Sequence, residues 1–343
     1  MRQAGYEVRF EEFTFPFFEE RSPPQLLSGA AQTATPREAL RTLAYSGAGD
    51  VTGRLGAVDL GLTDVAPPAP STSGCEASDF AGFEPGAIAL VRRGTCPFQT
   101  KVENAVSAGA IGVIVMNEGT SERTGSFSGR LAKAATVPVV AVSYEFGRSL
   151  ERTAAAEDGS PIRLAVDVQT GTRATRNVVA ETRAGDPSRM IVVGAHLDSV
   201  SDGPGINDNG SGSAAVLEAA LSLAERPTQP RNRIRFAFWG AEEQGLFGSR
   251  HHANALSEEE RRRTVLYINL DMVGSPNYGR FIHGPGQEPA SGPAAVALGA
   301  MLEFFQQRRL PVEVRDPGPR RHSDDASFVE KGIPSVGLYT GAG

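Results

Sequence analysis

An α/β fold, a mostly parallel sheet sandwiched by helices with a β-rich module inserted near its start, is what this 343-residue sequence predicts. Three features carry that expectation. From residue 174 onward, short apolar runs alternate with helix-length segments, the pattern of repeated βαβ units. Residues 39–168 have a different texture, with short apolar strands separated by turns rich in Gly, Pro and Ser. Ahead of them stands a strand-like segment, VRFEEFTFPFFE at 7–18, which finds no partner in their pattern. The middle module therefore reads as an insertion. The expected division is 1–38 for the first strand and a connector, 39–168 for the insertion and 169–343 for the main body, in keeping with roughly 150 residues per domain.

Taken in order, RQAGYEV reads as a last helical turn, a Gly C-cap and a strand. That abrupt opening predicts further sequence upstream, and MRQAGYEVRFEEF lacks the apolar core of a secretory signal. In the insertion, LGAVDLG (55–61), AIALVR (87–92), IGVIVM (111–116) and VPVVAV (137–142) are strands, and 98–109 is the one clear helix. The main body predicts strands at 190–195, 233–238, 265–270 and 335–339, with helices at 211–226, 245–256 and 291–309.

Composition removes several function classes. The formal net charge is −6, and no basic run exceeds Arg261-Arg262-Arg263, which argues against a nucleic-acid footprint or attraction to anionic membranes. The longest apolar stretch, around Ala110 to Met116, falls far short of the ~18 residues of a membrane helix. Cys75 and Cys96 allow one disulfide or a pair of buried thiols, and their spacing does not choose between them.

Ligands of an open α/β sheet bind at the carboxyl ends of its strands, so the polar residues just past each strand are the ones to inspect. MIVVGA ends in His196-Leu197-Asp198, the next loop holds Asp208, FAFWGA ends in Glu242-Glu243, and YINL ends in Asp271. Imidazole nitrogen with carboxylate oxygens is a normal donor set for zinc, and a shared carboxylate makes a dinuclear site. Cobalt or manganese also suits it. Asp198, two residues beyond His196, is placed to accept the second ring N–H and fix the tautomer. Glu242 and Glu243 are adjacent and must point differently, which suits one as ligand and the other as general base. Singly each has a plainer use: a strand-end His as a hydrogen-bonding group, Glu242-Glu243 as partners of a helix dipole, Asp208 as an N-cap. Their joint occurrence at successive strand ends favours the metal.

GAHLDS (194–199), GPGINDNGSGSAAVLE (203–218), FWGAEEQGLFGS (238–249), NLDMVGS (269–275) and GIPSVGLYTGAG (332–343) resemble the M28 zinc aminopeptidase family, close to its secreted Streptomyces-type and yeast vacuolar members. GCEASDF, IALVRRGTCPFQTKVENAVSAGAIGVIVMNE and VPVVAVS resemble a protease-associated (PA) domain, the usual insertion in that family. The resemblance implies two zinc ions, with His196 and Asp271 on one, Glu243 on the other, Asp208 as the bridge, Glu242 as general base and Asp198 orienting His196. It also implies a cis peptide from Asp208 to Asn209, and a pair, Cys75 and Cys96, that can form a disulfide. There are two departures. No remaining His matches the family's last ligand, which lies downstream of TGAG, so the resemblance implies truncation at both ends and a weakly held second ion. The family's RSDH reads His322-Ser323-Asp324-Asp325 here, placing His322 where an Arg contacts substrate, although a surface-loop role for His322 is the simpler one. Asp271, beside Glu242, is also expected to face the substrate's ammonium group.

The expected activity is hydrolysis of amino-terminal residues from peptides by a secreted, monomeric enzyme. The alternatives are a glutamate-carboxypeptidase-like enzyme, for which Arg320 and Arg321 are candidate carboxylate binders, and a non-catalytic binding protein of the same fold.

Overall fold

A computed structural model describes residues 1–28, 33–34, 39–62, 70–120, 122–154, 161–200, 203–284, 291–316, 318 and 323–341. The chain forms two compact units, Met1–Phe15 with Thr172–Gly343, and Pro16–Gly171. The division falls inside the strands Glu7–Ser28 and Ile162–Glu181, not at residue 39, because each strand runs on from one unit into the other.

In the first unit, Asp186–His196 pairs in parallel with Asn232–Trp239 on one side and with Thr264–Leu270 on the other, and Thr264–Leu270 pairs in parallel with Ser335–Tyr339. Antiparallel pairings flank this parallel centre: Ile162–Glu181 against Asn232–Trp239, and Phe281–His283 against Ser335–Tyr339. The sheet is thus mixed, with a parallel middle. Strand alternation sends successive residues to opposite faces. Phe236 and Phe238 pack with Val216 and Ala220 of the helix Gly212–Ala224, while Ala237 and Trp239 pack with Phe328 of the helix Asp325–Val329. Trp239, Tyr267 and Phe328 are fully buried, and Phe328 stacks on Tyr267 at 3.9 Å between ring centroids. Gly194 permits this layer, because a Cβ there would lie 2.6 Å from Trp239 Nε1 and 2.7 Å from Tyr267 Oη.

The second unit has its own five-stranded sheet, whose strands Ile88–Arg92, Gly112–Met116 and Val139–Val142 pair in parallel and are buried throughout. Buried parallel strands need helical cover, and besides Phe98–Ser107 there is a second helix, Tyr144–Ala154, which sequence reading missed. The module is therefore less purely β than expected. Cys75 and Cys96 form a disulfide. Among the described residues no helix is long and apolar enough to cross a membrane.

Candidate metal centre

The parallel strands set the site. Asp186–His196, Asn232–Trp239 and Thr264–Leu270 run side by side, so the residues at and just past their carboxyl ends meet at one edge. His196 is the last residue of the first strand and is 1% exposed. Its Nε2 lies 3.2 Å from Asp208 Oδ1, 3.4 Å from Asp271 Oδ1 and 4.0 Å from Glu242 Oε2. His196, Glu242 and Asp271 each offer a ligand atom, all within 4.8 Å of one another.

Local bonds hold these groups in place. The peptide between Asp208 and Asn209 is cis. Asn209 donates from Nδ2 to Leu270 O, and its Oδ1 accepts from the backbone N–H groups of Gly212 and Met272, which ties the Asp208 loop to the turn carrying Asp271. Gly212 lets that turn close, since a Cβ there would meet Asn209 Oδ1 at 2.2 Å and Leu270 O at 2.3 Å. Asp271 is oriented from below by a relay: Trp239 Nε1 donates to Tyr267 Oη, Tyr267 to Asn269 Oδ1, Asn269 Nδ2 to Ser323 Oγ, and Ser323 to Asp271 Oδ2. Asp271 Oδ1, buried and without a hydrogen-bond partner, is left facing His196.

Asp198 departs from expectation. His196 Nδ1 sits 3.0 Å from the backbone carbonyl of Asp198 and 3.8 Å from its carboxylate, so the carbonyl takes the ring proton. The carboxylate instead accepts the backbone N–H groups of Glu242 (3.0 Å) and Glu243 (3.1 Å). The ladder runs on through Leu197, whose N–H bonds to Trp239 O, and the Asp198 side chain faces the neighbouring loop.

Acid crowding shapes the electrostatics. Burial, then the charge of Asp324, pushes the Glu242 carboxyl up to about 9, and burial, then Asp208, pushes Glu243 up to about 7. Asp208 is raised by burial and by Asp271. Asp324 is fully buried, neither of its oxygens is hydrogen-bonded among the described residues, and burial raises it to about 7. Burial alone would lower His196, but the close approach of Asp271 and the charges of Glu242, Asp271 and Asp324 carry it up to about 10. Such a set lacks positive charge, which a divalent cation supplies. The spacing fits as well: ligands 2.0–2.2 Å from a tetrahedral zinc lie about 3.3–3.6 Å apart, against 3.2 and 3.4 Å from His196 Nε2 to Asp208 and Asp271. The residues fit zinc.

Sequence reading named Asp324 only within the stretch set against RSDH and gave it no role, and it missed the relay through Asn269 and Ser323. Asp325 is buried at the start of that helix. His322, Arg320 and Arg321 lie outside the described residues. The other histidines have packing partners: His251 stacks on Phe13, His283 on Tyr339, and His252 bonds to Glu11.

Residues 177–343 match peptidase family M28, and residues 60–150 match the PA domain. An aminopeptidase of Pseudomonas aeruginosa is 42% identical over all of this chain, which spans 63% of that protein's length. Among solved structures, an aminopeptidase from Aneurinibacillus sp. strain AM-1 is 29% identical with a TM-score of 0.76, over 98% of this chain and 76% of the other. A zinc aminopeptidase from Bacillus subtilis is 26% identical with a TM-score of 0.66, over 99% of this chain and 76% of the other. By its main body and its inserted module, the chain belongs to peptidase family M28, in the form that carries a PA domain.

Proposed function

We propose that this chain is a zinc-dependent exopeptidase that removes residues from the amino termini of peptides. The observation that carries the proposal is the convergence of His196, Asp208, Glu242 and Asp271 at the carboxyl edge of the parallel strands. The aminopeptidase names of its relatives support it. His196 and Asp271 would hold one zinc and Glu243 a second, with Asp208 shared. When bound, zinc supplies a Lewis acid for the scissile carbonyl and lowers the pKa of water.

The chain's own residues do the rest. Glu242 is held by its backbone N–H on Asp198, with its carboxylate 4.0 Å from His196 Nε2. There it takes the proton of the attacking water and returns it to the leaving amine. Glu242 and Asp271 give the site the negative charge that selects a free ammonium group, hence an exopeptidase. The Cys75–Cys96 disulfide suits an oxidising compartment, which supports a place at the cell exterior.

The test is Glu242→Gln. Zinc content per chain, read by inductively coupled plasma mass spectrometry, is expected to stay unchanged, while kcat on an amino-acid p-nitroanilide falls by roughly 10²–10⁴-fold. Unchanged kcat would sink the assigned role. A further comparison of free and N-acetylated peptides must show cleavage of the free form alone.

A further inference from the structure

At the opposite edge of the same strands lies a cleft of about 300 Å³ that the proposed peptidase chemistry does not use. It lies near the amino-terminal ends of the central strands, where Arg233 is aligned with Met190 and Met190 with Thr264. Six residues separate Met190 from His196, about 20 Å at 3.3 Å per residue, so the cleft is separate from the metal centre. Its charged walls are Arg9, Arg233, Arg235 and Arg263 against Glu181 and Glu260.

The donors divide into spent and unspent. Arg235, whose side chain is 8% exposed, gives Nε and Nη2 to Glu181 and Nη1 to His252. Arg9 gives Nη1 to Glu181 and Nη2 to Glu11. Glu260 is engaged with Ser257, whose N–H and hydroxyl it accepts. Arg233 places one Nη on the carbonyl of Arg183, but its Nε is buried with no hydrogen-bond partner among the described residues. Arg263 has a loose contact with Glu259 at 3.8 Å. Four guanidinium groups thus line the cleft with Glu181 and Glu260, while Glu11 and Glu259 contact Arg9 and Arg263 as well. A buried N–H without an acceptor is costly, and a planar guanidinium fork is suited to oxyanions.

We propose that this cleft binds a phosphate group, taken between Arg233 and Arg263, with Arg9 and Arg235 supplying field and no direct bond. The two donors open to a phosphate dianion are Arg233, whose Nε lacks an acceptor among the described residues, and the loosely held Arg263. The cleft is also larger than a bare ion requires, so the phosphate group is carried on a small organic molecule.

The test is calorimetric titration of the whole chain, before and after removal of metal with a chelator, at constant ionic strength in chloride. Inorganic phosphate and glycerol phosphate are the probes. Saturable binding that survives chelation is expected, with the ester binding more tightly than the bare ion. Arg233→Gln and Arg263→Gln should each weaken it by about tenfold or more, whereas Arg263→Lys retains part of it. Both positions are partly exposed, and an unchanged melting temperature without phosphate verifies folding of the variants. Binding lost on chelation, binding undiminished in the Arg233→Gln/Arg263→Gln double variant, or no binding at millimolar phosphate would each overturn the proposal.

Discussion

Replacing Asp198 by Asn tests whether one carboxylate positions both glutamates of the metal centre. Asp198 Oδ1 accepts the N–H of Glu242 at 3.0 Å and Oδ2 that of Glu243 at 3.1 Å. Hydrogen bonds to a charged acceptor are worth about 1.5–3 kcal/mol each, so the pair contributes about 3–6 kcal/mol. An Asn amide keeps one acceptor, worth about 1 kcal/mol, and turns an N–H group toward the other amide. The side chain of Asp198 is 26% exposed, and solvent recovers part of the loss. About 2–3 kcal/mol remains, divided between the fold and the placement of Glu242 and Glu243. Outer groups of this kind typically cost 10–100-fold in metal affinity when changed. Zinc affinity is read by competition with a chromophoric chelator, and stability by urea unfolding of the metal-free chain. A tenfold or greater loss of zinc affinity with at least ~1 kcal/mol lost from the metal-free fold is expected. If Asp198→Asn binds zinc as the parent does and unfolds at the same urea concentration, the two amide bonds do not position the glutamates.

Two further outcomes follow from packing and charge. Phe328→Ala empties a fully buried ring site beneath Tyr267 and should cost about 3–5 kcal/mol in urea unfolding, with weaker zinc binding because Tyr267 anchors the relay to Asp271; a cost below ~1.5 kcal/mol would show that the layer collapses without harm. Burial alone would raise Glu11, but the hydrogen bonds from His252 and Asn177 and the charge of Arg9 lower its carboxyl to about 2. Arg235 donates to His252 Nε2, so the imidazole is neutral and gives its Nδ1 proton to Glu11, in agreement with the lowering of His252 by burial. A depressed carboxyl stabilises above its unfolded value, and that stability is lost as pH falls from about 4.5 to about 2. With 17% of the Glu11 side chain exposed, and with a neutral His252 withholding the charge that forms part of that lowering, about 1–2 kcal/mol at neutral pH is expected. Glu11→Gln should therefore be less stable than the parent at pH 7 and converge with it near pH 2, and a gap independent of pH would refute the assignment.

The parallel centre was legible because MIVVGA, FAFWGA and YINL are apolar runs ending in polar residues, and a strand buried on both faces has that pattern. The site edge was legible for the same reason: His196, Asp208, Glu242 and Asp271 follow successive strands and meet there. Side-chain direction past a strand end was not. Two residues of spacing placed the carboxylate of Asp198 on His196, but the backbone carbonyl of Asp198 occupies that position. The strand Ile162–Glu181 was hidden by QTGTRATR in its middle, where an exposed stretch shows no apolar alternation. Asp324 stood out only as part of the stretch set against RSDH, with nothing local to show its complete burial, and the arginine cleft joins residues from Arg9 to Arg263 that no local pattern connects.

Gly194 sits two residues before His196, under the hydrogen bond between Trp239 and Tyr267. It acts as a one-carbon gauge on the height of the sheet. Any larger side chain there must either part the indole from the phenol, releasing Asn269, Ser323 and finally Asp271, or lift the strand whose end carries His196. Both routes end at the same gap, the 3.4 Å between His196 and Asp271. The separation of two candidate ligands is therefore set partly by a residue with no side chain, and a change at Gly194 would strain the metal centre and the core layer together.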